Sequence, residues 1–153
     1  MKTIQSRFGE IEYQEENLLH FAEGPIGFEQ LRDFVVMPNE KDGPLFWIQS
    51  VEDANIAFIL TDPTNFFVDY RIAPDQQERQ KLGLAEDDEC FALAVVTVSP
   101  ERQITLNLAA PILYAPKPKC ALQVILEGNH YQSRSPLPTV EEVSQVAEQE
   151  TEK

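Results

Sequence analysis

Short apolar runs separated by turn residues recur along most of the 153-residue chain. In QITLNL, residues 103–108, apolar and polar side chains alternate, and this two-residue period is typical of a strand with one wet face. FALAVVTV, residues 91–98, is apolar on both faces, which suits a central strand covered on both sides. Seven or more such runs predict a mainly β fold, a small antiparallel barrel or sandwich in a single domain.

The connections between these runs carry turn and helix signals. Gly9-Glu10 lies between two short runs and predicts a tight hairpin turn. QITLNL is expected to end at an Ala-Ala-Pro corner, residues 109–111. PDQQERQKLGL, residues 74–84, begins with Pro-Asp and reaches a glycine near its end, so it predicts one short connecting helix.

The stretch EGPIGFE, residues 23–29, suits a phosphate-binding loop, a tight turn between strands or part of a binding surface. It lacks the Lys-Ser/Thr of a P-loop and the third glycine of a dinucleotide-binding motif. Pro25 also removes a backbone N–H of the kind that a phosphate cradle needs. We therefore expect Gly24 and Gly27 to form a turn between strands, with Phe28 packed back onto the core.

The composition changes near the end of the chain. Residues 138–153 contain five glutamates and no aromatic residue, so we expect an acidic tail that is disordered or partly helical. Val140, Val143 and Val146 recur at helical spacing, which leaves room for a helix that forms on a partner. The chain thus divides into a β domain, residues 1–137, and this tail.

The balance of charge is strongly acidic. Twelve Lys and Arg residues stand against 26 Asp and Glu residues, for a formal net charge of -14. Such a surface repels nucleic acid and attracts a basic protein; the alternative is that acidity only keeps a small protein soluble. No window approaches the roughly 18 apolar residues of a membrane span, and the first residues do not resemble a signal peptide. We expect a cytoplasmic protein that binds neither membrane nor nucleic acid.

Residues that could support catalysis are sparse. Cys90 and Cys120 each stand alone in an apolar run, where a buried, unreactive thiol is usual. No CxxC or Cys/His cluster indicates zinc, and neither histidine accompanies a recognisable nucleophile motif. The acidic residues 87–89 favour a solvated turn over a metal site, which needs carboxylates from more than one element. We expect neither enzymatic activity nor a cofactor.

Several longer motifs follow one another in a distinctive order. They are HFAEGPIGFEQLRDFVV, PLFWIQSVEDANIAFILTDP, DECFALAVVTVSP and ITLNLAAPILYAP. Together they resemble the FliW family of flagellar assembly factors over about residues 3–137. The chain departs from the family where Pro25 precedes Ile26, and where Ala115 stands in place of the usual asparagine.

The resemblance implies a compact β-barrel-like protein that binds proteins and catalyses nothing. FliW-type proteins bind newly made flagellin in the cytoplasm, and they bind CsrA, a small basic RNA-binding repressor of flagellin translation. Accumulating flagellin occupies the FliW-type protein and frees CsrA to repress, and export of flagellin reverses this. A strongly acidic protein suits such antagonism of an RNA-binding partner, and we expect a monomer. The alternative is an acidic export chaperone for flagellin with no translational role.

Candidate partner contacts fall in a turn, a strand end and an acidic run. Because Phe66 and Phe67 cannot both point inward if extended, either one is an exposed anchor or the loop folds back onto the core. Asn107 is either solvated or aimed at a partner, and the edge after it offers a place for strand addition by flagellin. The acidic run is the expected contact for the basic partner. The predicted contacts are Asp62, Phe67, Asp69, Tyr70, Glu86, Asp87, Asp88, Glu89, Asn107, Pro111, Ile112 and Tyr114.

Overall fold

The fold is built mainly of β-strands. The computed structural model describes residues 2–6, 9–38, 44–126 and 131–136, so the predicted acidic tail lies outside the described residues. Within these ranges the elements are β1 (Lys2–Ser6), β2 (Gly9–Tyr13), β3 (Leu18–Glu23), β4 (Asp33–Pro38), β5 (Leu45–Ser50), β6 (Ala57–Thr61), α1 (Gln76–Leu82), β7 (Phe91–Val98), β8 (Ile104–Ala115), β9 (Cys120–Gln123) and β10 (Ser135–Pro136).

Seven of these strands close into a ring. The sheet order is β10-β8-β7-β6-β5-β4-β3-β9, and β9 pairs with β8 as well as with β3. Neighbours in the ring are antiparallel, except that β3 and β9 run parallel, with His20 opposite Cys120. The predicted mainly β, antiparallel barrel is confirmed. The parallel closure was not predicted, because a strand's apolar pattern does not identify its partner.

The first two strands form a separate hairpin. They pair from Lys2 opposite Tyr13 to Ser6 opposite Gly9. The predicted hairpin is confirmed, but the prediction that Gly9-Glu10 forms its turn is wrong, since both residues already belong to β2. The residues that join the two strands lie outside the described part of the chain.

One hydrophobic cluster fills the inside of the ring. One contact cluster draws members from all seven strands of the ring, which is possible only if those members face inward. Its fully buried members include Phe21, Phe34, Ile48, Leu60 and Ile112. Burying each such side chain stabilises the fold by about 1.5–3 kcal/mol, so this cluster dominates the stability of the ring.

Two further clusters lie on the outside of the ring. Trp47 and Leu106 belong to an outer cluster on β5–β8, which is covered by the segment from Asp62 to Ile72. Leu113 belongs to the other, on β8 and β9, which is covered by Leu82 of α1. Because β7 contributes to the inside and to the first outer cluster, the prediction that FALAVVTV is covered on both faces is confirmed.

The predicted connecting helix is present as α1. Asp75 caps its start by accepting a hydrogen bond from the backbone N–H of Glu78, and the Asp75 N–H in turn donates to Glu78 Oε1. Gly83 ends it in the left-handed conformation, with φ of 74°. The cap and the burial of Leu82 together account for a stable helix of only seven residues.

β8 is a single strand that contains a wide bulge. The prediction that it ends at the Ala-Ala-Pro corner, residues 109–111, is wrong, since the strand continues to Ala115. At the corner, residues 108–111 of β8 stand opposite the single residue Ala94 of β7. The corner is a bend within the strand, because a bulge twists a strand without ending it. Beyond the bend, β8 pairs with β9 and so helps to close the ring.

The Gly-Pro-Ile-Gly stretch forms the predicted turn between β3 and β4. The backbone N–H of Gly24 donates to the carbonyl of Glu29 at 3.1 Å, and that of Phe28 donates to the carbonyl of Pro25 at 2.7 Å. The Phe28 ring packs edge-on against Phe58 of the inner cluster, with centroids 5.6 Å apart. The expectation that Phe28 packs back onto the core is confirmed.

The two glycines of this turn are required for different reasons. A Cβ on Gly24 would collide with the backbone carbonyls of Phe28 and Leu31. Gly27 has open space around it but adopts a φ of 89°, which favours glycine. Its N–H donates to Glu29 Oε2 at 2.8 Å and holds the pKa of that carboxyl below its usual value.

Candidate partner-binding surfaces

The segment from Asp62 to Ile72 contains four of the predicted contacts. It starts with a 3-10 turn, Pro63–Asn65, because the Asp62 carboxylate accepts hydrogen bonds from the N–H of Thr64 at 2.9 Å and from its hydroxyl at 2.7 Å. Asp62 is exposed, but its carboxylate is already engaged in this cap. The structure therefore gives Asp62 a role in shaping the segment.

The turn directs two phenylalanines onto the outer cluster. The N–H groups of Phe66 and Phe67 both donate to the carbonyl of Pro63, at 3.0 and 2.8 Å, so the backbone there is curled and not extended. Both side chains are half-buried and pack against the outer cluster on β5–β8. Of the two alternatives for this pair, the structure shows the loop folded back onto the core.

Tyr70 lies in the core. Its side chain is 3% exposed, its hydroxyl donates to the carbonyl of Leu108 at 2.8 Å, and its ring lies edge-on to Tyr131 with centroids 4.8 Å apart. Burial raises the pKa of Tyr70 above its usual value, with a smaller contribution from Tyr131. Because Tyr70 is almost fully buried, it has little surface to offer a partner. Its evident role is to anchor the segment.

An open groove of about 610 Å³ runs between this segment and the residues that lead into β10. Val68, which the sequence analysis did not select, is 71% exposed at the groove, and Asp69 beside it is also exposed. No sequence signal separates Val68 from its neighbours in FFVDY; its exposure follows from the curled backbone. The residues that line the groove are Phe67, Val68, Asp69, Tyr70, Leu108, Tyr131, Gln132, Ser135 and Pro136.

The predicted contacts on β8 turn out to be structural. Asn107 Oδ1 accepts hydrogen bonds from the backbone N–H groups of Ala109 at 3.2 Å and Ala110 at 3.1 Å, so its amide holds the bulge. Pro111 and Ile112 are buried, and Ile112 belongs to the inner cluster. Tyr114 is half-buried against that same inner cluster.

The expected free edge after Asn107 is absent from this part of β8. Tyr114 faces Phe91 of β7 on one side and Ala121 of β9 on the other. Both backbone edges of the strand are therefore hydrogen-bonded within the ring. The prediction that a flagellin segment adds to the sheet here is wrong, because strand addition needs an unpaired edge.

The acidic run, residues 86–89, forms a turn after α1. Asp88 Oδ2 accepts a hydrogen bond from the backbone N–H of Ala85 at 2.9 Å, and Oδ1 lies 3.5 Å from Lys117 Nζ. The hydrogen bond from Ala85 holds the pKa of Asp88 below its usual value, and Lys117 adds to the effect. Asp88 is thus committed to the turn, whereas Glu86, Asp87 and Glu89 are exposed to solvent.

The acidic run borders a second, smaller hollow. Its volume is about 390 Å³, and it is lined by Asp87, Asp88, Glu89, Pro116 and Lys117. Phe91, two residues after the run, is 48% exposed and was not predicted as a contact. The structure therefore divides the predicted contacts between two surfaces. Phe67, Asp69 and Tyr70 line the groove, and the acidic run borders the smaller hollow.

The described residues offer little for metal or redox chemistry. Within those ranges, no group of three His, Cys, Asp or Glu side chains is placed to hold a metal ion. Cys90 and Cys120 are half-buried, and burial raises the pKa of both thiols, which lowers their reactivity. No helix in the described part of the chain is long and apolar enough to cross a membrane.

The sequence is similar to that of named proteins along most of its length. The model of a family described as FliW protein matches residues 2–137. A Flagellar assembly factor FliW from Syntrophotalea carbinolica is 62% identical over 137 residues, which cover 90% of this chain and 98% of the relative. A Flagellar assembly factor FliW 2 from Desulfotalea psychrophila is 56% identical over 140 residues, which cover 92% of this chain and 93% of the relative.

The fold is similar to a solved one as well. A crystal structure described as that of the flagellar assembly factor FliW superposes with a TM-score of 0.80 at 28% identity, covering 90% of this chain and 98% of the other. The closed ring and the order of its motifs therefore agree with the sequence comparisons. The chain belongs to the FliW family of flagellar assembly factors.

Proposed function

We propose that this protein is a cytoplasmic, monomeric and non-enzymatic regulator of flagellum assembly that binds flagellin and sequesters CsrA. Its membership of a family whose relatives are named flagellar assembly factors carries the proposal. Binding to CsrA relieves repression of flagellin translation, and flagellin competes for the protein when it accumulates.

The charge of the chain supports the CsrA half of the proposal. A net charge of -14 produces a field that attracts a basic protein and opposes the binding of RNA near it. Glu86, Asp87 and Glu89 are the exposed members of the acidic run, and Phe91 adds an apolar contact next to them. A carboxylate cluster beside an exposed ring suits arginine-rich or lysine-rich surfaces.

The groove supports the flagellin half. It combines exposed Val68 with half-buried Phe67 and Tyr131, and Asp69 and Gln132 provide polar groups at its walls. Such a mixed groove suits a short amphipathic segment of an export substrate. The second candidate function, an export chaperone without a translational role, rests on this groove alone.

The test is a reconstitution with the full chain, a CsrA homologue, its flagellin leader RNA and flagellin. We expect the protein to co-elute with CsrA and to dissociate the CsrA–RNA complex, and we expect added flagellin to restore that complex. Flagellin binding without any effect on the RNA complex would support the chaperone instead. If the protein bound neither CsrA nor flagellin, both proposed functions would be overturned.

A charge variant locates the CsrA contact. Glu86→Ser/Asp87→Ser/Glu89→Ser leaves Asp88 in place, because Asp88 holds the turn. We expect the affinity for CsrA to fall by about tenfold at low salt and to become less salt-dependent. Glu10→Ser/Glu12→Ser/Glu16→Ser removes the same charge from exposed positions on and just after the hairpin and serves as the control. Equal losses in both variants would mean that only the overall charge matters.

A further inference from the structure

Val68 is an aliphatic side chain that lines the groove and is exposed to solvent. It is 71% exposed, while Phe67 and Tyr131 on the same groove are half-buried and Leu108 is buried. Leaving a valine in water forgoes the free energy that its burial would provide. The groove is therefore a surface that gains stability when something apolar covers it.

The chain itself supplies a segment at the right place. β10 ends at Pro136, which lines the groove, so the acidic tail starts only two residues after a groove residue. The family model ends at residue 137, and the Syntrophotalea carbinolica relative is covered to 98% by a match of 137 residues. The tail, residues 138–153, is thus an addition to the family domain.

The tail carries apolar side chains that match the apolar lining of the groove and acidic side chains that match two arginines next to groove residues in sequence. Val140, Val143 and Val146 provide apolar side chains at a regular spacing, and the tail carries five glutamates against one lysine. Arg71 and Arg134 are exposed and directly follow or precede groove residues, and neither forms an ion pair with a described residue. In a chain of net charge -14, two arginines next in sequence to groove residues favour an acidic segment nearby, although Asp69 in the lining opposes it.

We infer that the acidic tail folds back into the groove beside β10, with its valines against Val68 and its glutamates near Arg71 and Arg134. A tether this short keeps the tail at an effective concentration of about millimolar, so weak contacts suffice for occupancy. The tail is then a built-in competitor for whatever partner uses the groove. The inference does not depend on the identity of that partner.

Photo-crosslinking within the full chain tests the inference. A benzophenone amino acid in place of Ser144 should react, on illumination, with residues 67–70 and 131–136 of the same chain, as read by mass spectrometry of the monomer band. Val68→Ser should reduce this product by about tenfold, the loss expected when one valine contact is removed. Arg71→Ser/Arg134→Ser should also reduce the yield of this product. In the chain without groove substitutions, 0.5 M salt should reduce the yield too, because it screens these charges.

The control is Ile125→Ser, which removes an equally exposed aliphatic side chain outside the groove lining and should leave the product unchanged. Amide resonances of residues 67–70 should also shift between the natural chain and Val140→Ser/Val143→Ser/Val146→Ser. Cross-links between two chains would overturn the inference in favour of a second copy. Cross-links elsewhere, or equal yields in Val68→Ser and Ile125→Ser, would overturn it outright.

Discussion

The turn from Gly24 to Leu31 and the segment from Asp62 to Ile72 both pack phenylalanine onto a core cluster, but on opposite faces of the sheet. Each follows a strand, curls its backbone and packs phenylalanine onto a core cluster. The turn packs Phe28 onto the inner cluster, whereas the segment packs its phenylalanines on the outside of the ring. Both expose one aliphatic side chain, Ile26 at 46% and Val68 at 71%, but Val68 lines a groove.

The comparison teaches where this fold has room for binding. In the turn, the carbonyls of Phe28 and Leu31 pack closely against Gly24. A substitution at Gly24 would therefore also disturb the inner cluster, to which Phe28 and Leu31 contribute. A segment laid over the outer face has one side on the protein and one side in water, and the burial of Tyr70 anchors it. We therefore expect recognition on the outer segment, where side chains vary at little cost to stability.

Gly24→Ala should produce the largest effect. The new Cβ would collide with backbone carbonyls of Phe28 and Leu31, which cannot move without opening the turn. We expect a loss of about 3 kcal/mol in the free energy of unfolding, measured by urea denaturation. A loss below about 1 kcal/mol would show that the turn is as tolerant as the outer segment.

Tyr70→Phe tests the anchor of the outer segment. It removes the hydroxyl that donates to the buried carbonyl of Leu108, so we expect a loss of about 1–2 kcal/mol. Tyr131→Phe keeps the neighbouring ring and should cost less, because the Tyr131 hydroxyl has no hydrogen bond to a described residue. Equal losses in the two variants would contradict the role of Tyr70 as the anchor.

The same anchor predicts a pH dependence. Because the pKa of Tyr70 is raised in the folded protein, its contribution to stability is complete below the unfolded value of about 10. It should be lost as the pH rises above that value, since the unfolded chain then releases a proton that the folded protein retains. Urea midpoints measured between pH 9 and 11 should fall more steeply for the natural chain than for Tyr70→Phe.

Gly27→Ala should have a smaller effect than Gly24→Ala. Its Cβ would meet open space, so the cost comes from the positive φ alone and should be about 1 kcal/mol. Gly27→Asn tolerates this conformation better and should recover part of the loss. If Gly27→Ala were the more damaging of the two alanine variants, steric contact would not be what makes this turn rigid.

Val68→Ser should have the smallest effect on folding. An exposed valine contributes little to the folded state, so we expect the unfolding free energy to change by no more than about 0.5 kcal/mol. Flagellin binding should nevertheless weaken, while the matched change Ile26→Ser on the inner turn should leave it intact. Titration of labelled flagellin into both variants measures the difference.

The sequence predicts individual elements of this fold better than their partners. Short apolar runs bounded by turn residues identify most of the strands of the ring, and Asp75 and Gly83 delimit α1, because these signals are local. The bulge held by Asn107 is not local in this sense. The bulge depends on the pairing of β8 with β7, in which Ala94 alone stands opposite residues 108–111. The sequence pattern of a single strand does not indicate such a pairing.

The same limit applies to the candidate surfaces. The polar or aromatic character of Tyr70 and Asn107 suggests contacts, but the structure uses both side chains for internal hydrogen bonds. Val68 and Phe91 are exposed because of how their neighbours pack, so residue type gave no reason to select them. The exposure of Glu86, Asp87 and Glu89 could be predicted from residue type, because charged side chains are mostly exposed.

The parallel pairing of β3 with β9 also has a consequence for how the chain reaches its native state. His20 and Cys120 are partners one hundred residues apart, so the ring cannot close until nearly the whole domain has been synthesised. Until then β3 has an unpaired edge, and the long loop that must close slows folding. A nascent chain of this kind is vulnerable to aggregation up to the moment when its ninth strand emerges.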